Sequence, residues 1–204
     1  MSTDHDLADT LQGALAVDPD DLRRLHERLA TAAAADHVLD IAYRTLDSPV
    51  GSLLLAATEA GLVRVAYAGE GHDRVLEDLS DRISPRILNH PARLDDTARE
   101  LDEYFAGRRQ AFGVDLDWRL SSGFRETVLR HLPDIAYGQT ASYATVAQLA
   151  GRPKAVRAVG TACATNPLPI VVPCHRVIKS DGTMGGYLGG VDAKATLLDL
   201  ESAA

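Results

Sequence analysis

Cysteine is scarce in this chain: 204 residues hold two, Cys163 and Cys174. Two thiols in a chain of this length make no disulfide framework, so the reducing cytoplasm is the expected compartment. No Cys/His grouping has the spacing of a structural zinc site. Long apolar runs are missing too. The longest is broken by Pro167, Pro169 and Pro173, which argues against a membrane span. The first residues, "MSTDHDLADT", are acidic and lack an apolar stretch, so no secretory signal is expected. Internal repeats and long low-complexity tracts are absent. What is present suits a globular core: 46% of residues are hydrophobic and 25% charged, which argues against disorder. The length suggests one ordinary domain, or a main domain with a smaller one.

Positive charge is also in short supply. The formal net charge of −8 argues against a nucleic-acid partner, but its distribution matters more than its sum. Residues 1–120 carry 13 Arg against 23 Asp and Glu, a net of −10. Residues 121–204 carry 8 Lys and Arg against 6 Asp and Glu, a net of +2. Both cysteines lie in this second part. A small basic face on an acidic protein can still bind DNA, weakly and with strong salt dependence.

The periodicity predicts an α+β chain in three pieces. Residues 1–38 form an extension whose helix, "DPDDLRRLHERLATAAAAD", starts with Asp18 as cap and Pro19 at its first position. Leu22, Leu25 and Leu29 share one face of it. Such a stripe is expected to bury against the chain's own first part. Residues 39–120 form an antiparallel β-sheet subdomain with helices. Short β-rich runs alternate there with the turns "DSPVG" and "TEAG". A helix over "RLDDTARELDEYFAG" follows, closed by Gly107, with Leu101, Tyr104 and Phe105 near one face. The extended piece "QAFGVDLDW" leads out, and "SSG" marks a boundary near 120. Residues 121–204 are mainly helical.

In that last part "GFRETVLRHL" is one helix and "AKATLLDLES" the final one. Between them "SYATVAQLAG", capped by Ser142 and stopped by Gly151, precedes "PKAVRAVGTACAT", which starts at Pro153. Two short helices about a "GRP" turn read as a helix-turn-helix. On a wheel at ~100° per residue, the second helix of the pair puts Val156, Val159 and Cys163 toward the core. Lys154, Arg157, Ala158, Thr161, Ala162 and Thr165 face outward. Helices that read base edges usually carry Asn, Gln or Arg along that face. Here everything beyond two basic residues is small, which suits close approach to the minor groove. A solvated, Ala-rich face is the alternative.

"NPLPIVVPCHRVIKSDG" places Cys174 beside His175 after a proline-broken apolar run. A free thiol has a pKa of ~8.5 and needs a base near neutral pH. Adjacent side chains on an extended segment point to opposite faces. Contact between Cys174 and His175 therefore requires a turn at Pro173–His175, or a bridging water. A third group must orient the imidazole. Glu126, Asp134, Asp181, Asp192, Asp199 and Glu201 are all available, and spacing does not choose among them. Most Cys-His pairs are a buried inert thiol beside a structural histidine.

The context changes that reading. From about Ile41 to Glu201 the chain resembles the O6-alkylguanine-DNA alkyltransferases, the methylated-DNA–protein-cysteine methyltransferases. The resemblance is strongest over "ASYATVAQLAGRPKAVRAVGTACATNPLPIVVPCHRVIKSDGTMGGYLGG". The "PCHRV" motif, the Asn-Pro turn, the paired helices and the trailing Gly-Gly agree in order and spacing. The resemblance implies that Cys174 accepts the alkyl group, that His175 activates it through water, and that Glu201 orients His175. It makes Asn166 the brace of the acceptor turn and Tyr143 the group assisting the departing guanine. Arg157 becomes the wedge that replaces a flipped nucleotide. Ser142, Ala155, Ala158 and Thr161 are expected at the DNA, and Val177, Tyr187 and Leu188 around the base.

The implied function is DNA repair: irreversible, once-only transfer from O6-alkylguanine, and from O4-alkylthymine, in double-stranded DNA. No metal or organic cofactor is implied, and a monomer is expected. Other readings are a non-catalytic alkylated-base binder, a helix-turn-helix regulator or a cysteine hydrolase. Some features depart from the family pattern. Residues before about Leu39 have no counterpart, Leu188 stands where a small residue is common, and Cys163 replaces a larger apolar side chain. N-terminal zinc ligands are absent. Glu201 lies so near the last residue that its helix end is expected to fray.

Overall fold

The computed structural model describes residues 18–202, so the reading of "MSTDHDLADT" lies outside the described residues. The first unit carries helix α1, Pro19–Ala35. Asp18 caps it, accepting from the Asp20 amide at 2.9 Å, and Pro19 takes the first position as expected. The leucine stripe departs from expectation. Leu22, Leu25 and Leu29 are each more than half exposed.

The second unit begins at Asp40. Strands β1 (Ile41–Leu46), β2 (Leu53–Thr58) and β3 (Gly61–Tyr67) form the expected antiparallel meander. A fourth strand, β4 (Ile87–Asn89), pairs parallel with β1, so the sheet is mixed, in the order β3-β2-β1-β4. Helix α2 (His72–Arg82) makes the crossover. Sequence reading misses β4 because three half-buried residues show no alternation. Every residue of β2 is buried, which is why "LLLAAT" reads as a continuous apolar run. Leu53, Leu55 and Ala57 join the main core, while Leu54 and Ala56 pack with Val75 and Leu79 of α2.

The extended segment leading out of this part lies along β3. Leu62 donates to Asp115 and accepts from Asp117, both at 2.8 Å. Gly61 permits that approach. Its φ is +132°, and a Cβ there would meet the Asp115 carbonyl oxygen at 2.4 Å. Helix α3 (Asp95–Phe105) buries Leu101 and Tyr104. The same core continues past residue 120 into α4 (Gly123–His131), α5 (Tyr143–Leu149), α6 (Val156–Ala164) and α7 (Gly190–Ser202). Among the described residues no helix is long and apolar enough to cross a membrane.

Ser142 caps α5 as expected, accepting from the Thr145 amide at 3.0 Å. Helix α6 starts three residues later than its proline suggested. Arg152 donates to Ala147 and Ala155 donates to Arg152, so residues 152–155 close a turn first. The buried arc of α6 is Val159, Ala162 and Cys163. Val156 therefore falls at its margin and is 38% exposed, and Ala162 faces inward.

Candidate active site and nucleic-acid face

The segment leading to Cys174 is a loop pinned by one amide. Asn166 is fully buried after α6. Its Oδ1 accepts from the Leu168 amide at 3.0 Å. Its Nδ2 donates to Val172 O at 2.9 Å and to Cys174 Sγ at 3.1 Å. Every strong polar atom of this side chain thus serves the loop. The loop tolerates strain: Ile170, a β-branched residue, has φ +73°, a conformation that costs ~1–3 kcal/mol. Full burial of its side chain among apolar neighbours offsets that.

Cys174, His175 and Arg176 then form one 3-10 turn. The turn breaks the alternation of an extended strand, yet no hydrogen bond joins Cys174 Sγ to His175 among the described residues, which leaves the bridging water as the route between them. Cys174 is 2% exposed. Burial pushes its thiol up to about 11, against opposing pulls from the Asn166 amide and the Lys194 ammonium. The resting group is therefore a neutral thiol near pH 7.

His175 is fully buried and ties the turn to α7. Its Nε2 lies 2.8 Å from Glu201 Oε1, an acceptor, so Nε2 carries the proton. Nδ1 is buried with no hydrogen-bond partner. Burial holds the imidazole pKa below its ordinary value, although Glu201 pulls the other way. A neutral imidazole with a bare Nδ1 is a proton acceptor.

Glu201 is the hub. Arg176 donates to it twice, Nε to Oε2 at 2.9 Å and Nη2 to Oε1 at 3.0 Å. Tyr104 OH donates at 2.8 Å and the Gly138 amide at 3.2 Å. Burial by itself would raise this carboxyl, but the hydrogen bonds from His175, Arg176 and Tyr104 bring it down to about 2. The expected fraying does not occur at Glu201, which is 3% exposed. A carboxylate with donors from four residues fixes the last turns of α7. Arg176 also donates to Ile135 O at 2.7 Å.

A two-stranded ladder brings Tyr143 and the residues after the motif together. β5 (Ala141–Ser142) pairs parallel with β6 (Val177–Ile178), Ala141 against Val177. Tyr143, the first residue of α5, therefore stands beside the strand that follows Cys174. Its hydroxyl lies so close to Gly185 that a Cβ there would come within 2.4 Å. Burial raises the Tyr143 pKa, and the neighbouring Cys163 and Cys174 add to the rise. Val177 is fully buried, and Tyr187 and Leu188 are partly buried in the glycine-rich loop.

Along α6, Arg157, Ala158 and Thr161 are exposed. Arg157 forms no salt bridge among the described residues. Thr161 Oγ1 bonds back to Arg157 O at 3.2 Å, and Thr165 Oγ1 to Thr161 O at 2.9 Å. The hydroxyls are used within the helix, so the face is smoother than its residue types suggest. Ala155 is half-buried at its start.

Two family models match this chain. The 6-O-methylguanine DNA methyltransferase ribonuclease-like domain matches residues 41–118, and the DNA binding domain of the same name matches 123–203. A methylated-DNA–protein-cysteine methyltransferase of Mycolicibacterium paratuberculosis is 41% identical over 161 residues, 79% of this chain and 92% of that one. The chain belongs to the methylated-DNA–protein-cysteine methyltransferase family. The Mycobacterium tuberculosis relative of that name is 40% identical, again over 79% of this chain and 92% of its own. A solved M. tuberculosis structure, OGT in complex with DNA, has a TM-score of 0.69 at 38% identity, covering 79% and 93%.

For this family member the fold brings Cys174, His175, Glu201, Asn166 and Tyr143 into one neighbourhood, with Arg157 on an outward helix face. Sequence reasoning gave no role to four side chains found here. Tyr104 is read there as an apolar helix position, yet its hydroxyl reaches Glu201. Arg176 stands inside the motif, and nothing local shows that it pairs with a residue 25 positions on. Lys194 is fully buried and donates to Val177 O at 2.5 Å. Its burial lowers the ammonium pKa, opposed by the nearby Cys174 and Cys163. Tyr67 reaches the glycine-rich loop from β3. Only Lys194 left a signal, as a charge at a position of a short helix that packs inward.

Proposed function

We propose that the chain repairs alkylated DNA by moving an alkyl group from the O6 of guanine in a duplex to Cys174 Sγ, once per molecule. The observation that carries this is the buried Cys174 thiol, with Asn166 Nδ2 at 3.1 Å and, next in the same turn, His175 held by Glu201 of α7. The chemistry assigns each part. His175 Nδ1, reached through a bridging water, takes the thiol proton, and Glu201 stabilises the imidazolium. The Asn166 amide donates to the thiolate. Sulfur then attacks the alkyl carbon, the S–C bond forms and the C–O6 bond breaks. The electron pair leaves on the guanine, which Tyr143 protonates as general acid. The product is a stable thioether whose C–S bond has no good leaving group, so one chain serves one lesion.

The reacting atom is hidden in the base stack, so the nucleotide must turn out of the duplex, at a cost of a few kcal/mol. Arg157 on the smooth outer face of α6 is the wedge, entering from the minor groove, with Ser142, Ala155, Ala158 and Thr161 alongside. Val177, Tyr187 and Leu188 border the extruded base. O4-alkylthymine presents the same electrophilic carbon and is the second substrate. The solved M. tuberculosis relative in complex with DNA supports DNA as the partner. The test is intact-mass measurement after incubation with duplex containing O6-methylguanine. A gain of one methyl per chain, mapping to Cys174, is the expected result. Repeated turnover, or a gain at Cys163, overturns the reading.

A further inference from the structure

Tyr67 ends β3, in the part of the chain remote from the "PCHRV" motif, and is 4% exposed. Its hydroxyl lies 2.8 Å from the Tyr187 hydroxyl, 120 residues away. The two rings meet edge to face, with centroids 5.8 Å apart. Gly189 lies flat on the Tyr67 ring, where an added Cβ would meet three ring carbons at 2.6 to 2.8 Å. Tyr67 therefore touches the glycine-rich loop twice, at Tyr187 and at Gly189. On its other side Tyr187 meets the His175 ring at 86°, with centroids 6.4 Å apart.

The end of β3 is itself held firmly. The Tyr67 amide donates to Glu70 Oε1 at 2.9 Å, and Glu70 pairs with Arg64. Val65 donates to Pro167 O at 2.8 Å, so the same strand edge also braces the Asn-Pro turn before Cys174. One edge strand thus contacts both the acceptor loop and the loop bordering the base.

We propose that Tyr67 is a positioning residue: by clasping Tyr187 and Gly189 to the sheet, it fixes the distance from the glycine-rich loop to Cys174 and so sets which alkyl groups react. This rests on the alkyl-transfer reading above. A hydroxyl pair that anchors a loop restricts pocket width, because glycines at 185, 186, 189 and 190 give the loop backbone conformational freedom that the anchor removes. Releasing the clasp favours bulky groups over methyl.

The experiment compares transfer from duplex O6-methylguanine with transfer from free O6-benzylguanine. Tyr67→Phe keeps the ring on Gly189 and removes the bridge. The benzyl-to-methyl rate ratio should rise roughly five-fold, the size one hydrogen bond supports, with Tm within ~2 °C. Tyr187→Phe should shift the ratio equally, and the double variant no further, since both remove the same bond. Tyr67→Leu, which also removes the ring, should shift it more. An unmoved ratio in Tyr67→Phe, or shifts that add in the double variant, overturns the clasp. If the unmodified chain accepts no alkyl group at all, the reading beneath fails, and the clasp's proposed consequence with it. If it accepts one with an unmoved ratio in Tyr67→Phe, only Tyr67 loses its role.

Discussion

Around Glu201 four residues aim hydrogen bonds at one buried carboxylate, whereas along the outer face of α6 the threonine hydroxyls bond to their own helix and, among the described residues, Arg157 forms no salt bridge. On the proposed function the two regions serve one reaction, and they are built in opposite ways. A proton relay needs fixed atoms, so its members are buried and cross-linked. A surface that meets a groove needs access and shape, so its residues are small and exposed. The comparison predicts that changes in the first region cost stability and chemistry together. Changes in the second should cost only the encounter with duplex DNA.

The largest effect is expected at the nucleophile. Cys174→Ser should lower transfer at least ~10³-fold, measured on both duplex and free-base substrates. Equal activity would remove the centre of the first region. Glu201→Ala comes next, because it leaves His175 and Arg176 buried without their shared partner. Loss of one member of such a pair costs ~3–5 kcal/mol, so Tm should fall by roughly 10 °C in differential scanning fluorimetry. An unchanged Tm would show that the network is not the fixed element described here.

Arg157→Ala tests the second region. Transfer from duplex should fall roughly ten-fold or more, given the few kcal/mol that flipping costs. Transfer from free O6-benzylguanine and the Tm should hold. Parallel losses on both substrates would erase the contrast between the regions.

The buried groups also set a pH window. Glu201 is held at about 2, below its ordinary 4.5. Its stabilisation is full above 4.5 and lost as pH falls toward 2. His175 is held below 6.5, so the unfolded chain binds its proton first and stability falls as pH drops below 6.5. Cys174 is raised from 9.0 to about 11, so the unfolded chain ionises first and stability falls as pH rises from 9 to 11. Thermal melts should therefore show a plateau between about 6.5 and 9. Burial of Lys194 works in the opposite sense there, so the decisive result is the comparison with Cys174→Ser: identical Tm profiles above 9 would contradict the buried neutral thiol. The smallest effect belongs to Thr161→Ala. Its hydroxyl bonds within the helix, so stability should change by less than ~0.5 kcal/mol and duplex affinity by less than about two-fold. A larger loss in a binding titration would mean that the face is polar toward DNA.

Much of this was legible in the residues. The meander, the capped α5, the helix over residues 95–105 and the Cys-His motif all follow from patterns a few residues long. β4 was missed because its three residues carry no period of their own, and the start of α6 was misplaced because a competing turn at 152–155 uses the same residues. The leucines of α1 show another limit. A stripe shows which face is apolar without showing what covers it.

The amino-acid sequence by itself determined the acceptor loop: Asn166, Pro167 and Pro173 act on neighbours within eight positions, and their geometry follows from turn chemistry and fixed φ. It left six carboxylates as candidates to orient His175. The family resemblance pointed to Glu201, and the tertiary structure sets it 2.8 Å from His175; only that structure brought Tyr104 from 97 positions away and paired Tyr67 with Tyr187. The physical reason is range. Hydrogen-bond caps and periodicities are local, whereas the partner of a buried polar group is decided by the packing of one core that β2, α3, α4 and α7 close together.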